Sequence, residues 1–163
     1  MDKTHSYRLT VRWTGNRGEG TSGYTRYGRE HVIDADGKPE ITGSSDPAFR
    51  GDPSRYSPED LLVASVSACH MLWYLHLCSE ARIVVIDYVD EAMGTMIEDD
   101  DGSGSFSAMV LRPHATIAAG SDAVLAESLH EEAHRKCFIA NSVTFPITCE
   151  PTVATEDPPT PAG

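Results

Sequence analysis

The strongest periodic signal lies between Ser57 and Cys78. There Leu61, Leu62, Ala64, Ser65, Ala68, Cys69, Leu72, Trp73, His76 and Leu77 recur at three- and four-residue spacing, the repeat that stacks side chains on one helical face. Val63, Val66, Met71 and Leu75 fill most of what remains of the circumference. A helix so apolar all round must be covered on most sides, and at roughly 33 Å it is too long to hide in so small a domain. A second copy of the chain is the simplest cover. The start of the helix is equally clear: Ser57 suits the N-cap, Pro58 the first helical position, and Glu59 and Asp60 the positive end, with Asp60 at the capping-box position.

Before this helix, Tyr7, Leu9, Val11 and Trp13 alternate with polar residues, which predicts a half-buried strand ended by Gly15-Asn-Arg-Gly-Glu-Gly20. Residues 21 to 32 are a weaker strand candidate, and Asp36-Gly37 offers a hairpin turn into a short strand around Ile41, so the sheet begins as a meander. Residues 43 to 56 have turn composition throughout, and a loop of that length favours a functional role. After the helix, Arg82 to Val89 reads as a strand whose continuation toward Met96 and Ile97 is interrupted by Gly94. The acidic run Glu98 to Ser105 predicts a solvated hairpin turn, since it lacks the spacing of a calcium loop. Phe106 to Ala118 alternates as one long strand, with Pro113 marking a bulge or sheet edge. Ser121 then caps a second helix with Leu125, Leu129, Ala133 and Cys137 on its buried face. Residues 142 to 149 return as a last strand, which makes residues 1 to 150 a single α+β domain; the Pro-rich segment 151 to 163 is expected to be a disordered tail.

Charge changes the picture by its distribution. Residues 1 to 56 hold nine Lys/Arg against eight Asp/Glu, and residues 57 to 163 hold four against seventeen. The acidic second half argues against nucleic acid and anionic membrane as partners, while the arginines of the first third can meet an anion. The first residues lead into no apolar signal region, and Ser, Cys and His break the run around Cys69 short of a membrane span. A cytoplasmic location is therefore expected, with Cys69, Cys78, Cys137 and Cys149 as thiols.

Most helix cysteines are small core residues, and Cys69 has that reading open to it. The other reading is chemical. A helix pair can bring Cys137 to Cys69, and Arg12, Arg17, Arg26, Arg29, Arg50 and Arg55 are available to stabilise a thiolate. Such a thiolate attacks the terminal oxygen of a peroxide, becomes a sulfenic acid and condenses with a second thiol. His130-Glu-Glu-Ala-His134 satisfies the HExxH pattern but is short and has no conspicuous third ligand, so it is read as helix surface with an incidental motif. His70 points about 100° away from Cys69 around the helix. His76 reads as an interfacial or core histidine, and Cys78 and Cys149 as structural thiols. The glycine-rich turn supports no nucleotide site and serves to place Arg17.

The segment Ser57-Pro-Glu-Asp-Leu-Leu-Val-Ala-Ser-Val-Ser-Ala-Cys69-His70 resembles the Asn-Pro-Glu-x-Leu…Ala-Cys signature of the OsmC/Ohr family, the osmotically inducible and organic hydroperoxide resistance proteins. Ala133-His-Arg-Lys-Cys137 resembles that family's second motif, Ala-His-x-x-Cys. The resemblance implies an intertwined homodimer, antiparallel sheets wrapped around long central helices, with each active site drawing on both subunits. It implies a peroxidase that reduces organic hydroperoxides, with Cys69 peroxidatic, Cys137 resolving and Glu59 holding a catalytic arginine, either Arg50 or Arg17. No metal or organic cofactor is implied; the reductant is an external dithiol, in part of the family a lipoylated protein. Ser57 replaces the common Asn, and His70 stands where Phe is often found, which bears on substrate preference. The alternative is a small-molecule binding or structural dimer that keeps the fold without turnover.

Overall fold

A computed structural model describes residues 3–157 of the chain. The chain divides into two compact units, residues 1–61 and 62–163, where a single domain ending at residue 150 was expected.

The first unit is the expected meander. Strands β1 (Thr10–Trp13), β2 (His31–Asp34) and β3 (Ile41–Gly43) pair antiparallel in sequence order. The β2–β3 turn uses Gly37 at φ 73°, a left-handed conformation that glycine adopts without steric cost. Residues 21 to 30, proposed as strand, lie in turns and irregular chain instead. Trp13 fixes this segment by donating its indole N–H to the Gly28 carbonyl at 2.8 Å. The alternating residues of the predicted strand are not half-buried within the protomer: Tyr7, ahead of β1, is 90% exposed and Val11, within it, 60%. In the loop that follows, a 3-10 turn (Pro47–Phe49) is capped by Asp46 and closed by Arg50 at φ 67°. An isolated bridge from Gly43 to Tyr56 ties its ends together.

Helix α1 (Pro58–Glu80) begins in the first unit. Its capping box forms as the sequence requires: the Asp60 amide donates to Ser57 Oγ at 3.1 Å, and the Ser57 amide donates to Asp60 Oδ2 at 2.9 Å. By length and composition, its 23 residues are enough to cross a membrane, longer than the sequence reading allowed. Its stripe of Val66, His70, Tyr74 and Cys78 is nevertheless buried in the protein, each one turn from the next.

The second unit contains two three-stranded sheets and helix α2 (Ala123–Lys136). Strands β4 (Val85–Asp90), β7 (Pro113–Ala118) and β9 (Thr152–Glu156) form one sheet; β5 (Met93–Glu98), β6 (Gly104–Leu111) and β8 (Ile147–Cys149) form the other. The long strand expected over 106–118 is thus two strands in two sheets, parted at Arg112. Pro113 opens β7, where its missing N–H is tolerated. Gly94 interrupts nothing: it lies inside β5 opposite Met109, and a Cβ there would strike the Phe106 ring and Val63. The acidic segment is the β5–β6 hairpin turn, closed by Ser103 on Asp99 and Asp101.

Two further expectations are corrected. Residues 152–156 of the expected tail form β9, parallel to β7 from His114 to Ala118, as β8 is to β6. The sheets are therefore mixed. Thr-Val-Ala-Thr alternates well enough for a strand, but the surrounding prolines concealed it. Residues 158–163 lie outside the described residues. Helix α2 is capped by Asp122, which accepts from the Leu125 amide, instead of Ser121. Its buried positions are Ala126, His130 and Ala133, and Leu125 is 39% exposed. Aromatic stacking of His130 on Tyr74 turns that face inward, with ring centroids 3.8 Å apart.

Candidate active site

Cys69 lies in the middle of α1, half-buried, and Cys137 is the buried C-cap residue of α2. The two thiols are near enough for Cys69 to act on the titration of Cys137. Cys137 sits in a tight setting: Sγ accepts from the Ala140 amide at 3.4 Å and lies 4.0 Å from the Val66 carbonyl oxygen. Burial pushes its thiol up to about 11, and contact with Cys69 acts in the same direction, against the Ala140 amide. One thiol is therefore accessible and the other enclosed beside it. That is the order of exposure a peroxide-first, disulfide-second sequence needs.

Glu59 occupies the first turn of α1, ten residues before Cys69. It makes no hydrogen bond or ion pair with any arginine among the described residues, and its Oε2 is buried without a partner. Arg17 and Arg50, the two candidate partners, instead meet around one cavity of about 240 Å3, with Tyr27, Arg29, Glu30 and Asp52 also on its wall. Arg17 approaches Glu30 at 3.6 Å, and Arg50 lies 5.9 Å from the centre of the Tyr24 ring. Arg26 pairs with Glu19 at 2.9 Å, and Arg29 packs over Tyr24 and Tyr27.

A second cluster was not anticipated. His70 on α1 and His130 on α2 are 0% and 2% exposed, so His130 belongs to the core, where the sequence suggested helix surface. Their rings are nearly coplanar in orientation, 8° apart, with His70 Nε2 3.0 Å from His130 Nδ1. Cys149, expected to lack any context, places Sγ 3.7 Å from His70 Nε2. Burial lowers His70 to about 4, with the Asp90 carboxylate opposing and His134 assisting. It lowers His130 to about 3, helped by His70, and raises Cys149 to about 12, helped by Asp90 and Glu150. His76 is exposed and approaches Glu80 at 3.6 Å; Cys78 is a fully buried core thiol. The missed signal was the four-residue stripe 66, 70, 74 and 78, which carries His70 inward beside the more noticeable Cys69.

The family profile described as OsmC-like protein matches residues 51–152. The chain belongs to the OsmC-like family. An OsmC-like protein of unknown function from Vibrio cholerae O1 biovar eltor str. N16961 is similar at 30% identity and TM-score 0.83, over 91% of this chain and 100% of that one. An organic hydroperoxide resistance protein from Elizabethkingia anophelis is similar at 20% identity and TM-score 0.65, over 96% and 100% of the two chains. A Legionella pneumophila protein described as an organic hydroperoxide resistance protein gives 18% identity and TM-score 0.65, over 93% and 99%. At those identities the last two likenesses concern the fold. No match is found among the curated proteins. The family membership supports a general redox role for this OsmC-like chain.

Proposed function

We propose that this OsmC-like protein is a thiol-dependent peroxidase that reduces organic hydroperoxides. The observation that carries the reading is the proximity of half-buried Cys69 to buried Cys137. The Cys69 thiolate attacks the terminal peroxide oxygen; the O–O bond breaks, the alcohol leaves with a proton, and Cys69 carries a sulfenic acid. Cys137 then attacks that sulfur, the S–O bond breaks, and water leaves as the disulfide forms. An external dithiol, of the kind a lipoylated protein carries, returns both thiols and completes the electron balance.

Glu59 serves as the holder of an arginine, because a buried carboxylate oxygen without a partner matches a guanidinium fork. Arg50 is favoured over Arg17, which already approaches Glu30. The arginine enters from a second subunit in this reading, and the protein works as a homodimer in the cytoplasm. Exposed Leu72 on α1 and exposed Tyr7, Leu9 and Val11 before and in β1 support it, since a second copy would cover them.

The test is steady-state turnover of cumene hydroperoxide and hydrogen peroxide with lipoamide-type and monothiol reductants. Organic hydroperoxide turnover that disappears in Cys69→Ser is the expected result. Absence of turnover with every dithiol, in a folded reduced protein, overturns the enzyme and favours a binding or structural dimer.

A further inference from the structure

Three elements of the second unit each turn one metal-type ligand toward a common point: His70 from α1, His130 from α2 and Cys149 from the end of β8. Their donor atoms all lie within 4.8 Å of one another, with two of the separations being 3.0 Å between nitrogens and 3.7 Å from sulfur to nitrogen. A tetrahedral zinc ion bound through two imidazoles and a thiolate separates its nitrogens by about 3.3 Å and nitrogen from sulfur by about 3.6 Å. The two known edges therefore need only a few tenths of an ångström of adjustment, about the tolerance of such sites. We propose that His70, His130 and Cys149 bind a zinc-class divalent cation, a site separate from the Cys69–Cys137 pair.

The competing account is two core histidines that satisfy each other. It accounts for the contact between the two rings but not for the thiol of Cys149, whose Sγ lies 3.7 Å from the same His70 Nε2 that meets His130. His70 Nδ1 and His130 Nε2 are buried without partners in either account. A cation takes the lone pairs of His70 Nε2 and His130 Nδ1 together with the Cys149 thiolate, whose proton is released to solvent. The proton of each imidazole then rests on its other nitrogen.

Ligand chemistry selects the ion. Two imidazoles and a thiolate suit zinc and its neighbours and disfavour magnesium and calcium, which take oxygen. The site also has a route from solvent: His130 and Cys149 line a cavity of about 590 Å3, together with Glu127, Glu131 and His134. Three protein ligands leave a fourth position for water. The HExxH segment thus contributes one ligand, through Nδ1 of His130, and Glu131 is exposed on the cavity wall. Its apparent partner His134 does not belong to the three-residue cluster.

Cobalt(II) titration of the full chain carrying Cys69→Ser and Cys137→Ser tests the site without the other thiol pair. The expected result is one cobalt per chain with a thiolate-to-cobalt charge-transfer band that one equivalent of zinc abolishes. Cys149→Ala should lose the band while Cys78→Ala keeps it, and His70→Gln and His130→Gln should each weaken binding at least tenfold, with circular dichroism confirming the fold. Absence of the band in the folded double variant, which needs no change at the site itself, overturns the proposal. So does a band that survives Cys149→Ala.

Discussion

A buried thiol beside an accessible one has a consequence that pH can read. Cys137 is pushed from an ordinary thiol value of 9.0 to about 11, mainly by burial, so the folded state holds its proton where the unfolded chain would release it. The stability it contributes is fully present below about pH 9 and is lost as pH rises toward 11. Alkylation of Cys137 in reduced native protein is expected to follow a midpoint near 11; a midpoint at the ordinary thiol value means the residue is not enclosed as described. Glu59 gives a second test at this scale. Glu59→Gln keeps size and hydrogen bonding but removes the charge that holds an arginine, and a misplaced guanidinium costs up to about a hundredfold in rate. The kcat/KM for cumene hydroperoxide should fall by about that much, with Arg50→Ala matching it and Arg17→Ala falling less. An unchanged Glu59→Gln enzyme removes this residue from the site. Cys69, Cys137 and Glu59 could be singled out from the sequence because short motifs mark them. The His70–His130–Cys149 cluster could not, because its members are 60 and 19 residues apart in sequence and meet only through packing of α1, α2 and β8.

Among the elements, α1 displays two kinds of apolar residue that behave differently on substitution. Its stripe through Val66 packs on Met109 and Leu111, both essentially inaccessible. Leu111→Ala should cost about 2–5 kcal/mol, as for other fully buried leucines, with the loss read by chemical denaturation. Leu72, 62% exposed in the protomer, should be almost neutral to stability if it stays exposed. If a second copy covers it, Leu72→Glu should instead dissociate the protein with little change in its secondary structure. The start of α1 was predictable to the residue because capping is local: Ser57 and Asp60 need only each other. The division of 106–118 into β6 and β7 was not, since nothing in the alternation of Phe106 to Ala118 marks the change of sheet at Arg112. The face of α2 was legible in part: Ala133 and Cys137 are buried as expected and Leu129 packs on the core, while His130 and Ala126 were not expected there. Small Ala126 and Ala133 allow close approach, whereas the larger Leu125 remains partly outside.

For the whole molecule, the apolar surface of α1 and β1 predicts twice 17.7 kDa by sedimentation at micromolar concentration. A stable monomer would remove the second subunit as the source of the arginine. The α+β architecture could be read from the order of periodic segments, but the parallel pairing of β8 and β9 could not, because pairing partners are set by crossovers around α2 and leave no mark in the strands themselves. The central claim concerns chemistry at one thiol, and a single turnover reaches it most directly. One equivalent of cumene hydroperoxide is added to reduced wild-type and Cys137→Ser protein, and both are mapped by peptide mass spectrometry. The account predicts a Cys69–Cys137 disulfide in the wild type and a sulfenic acid on Cys69 in the variant, with Cys78 and Cys149 still reduced. Equal oxidation of all the thiols, or first oxidation at any cysteine other than Cys69, contradicts it.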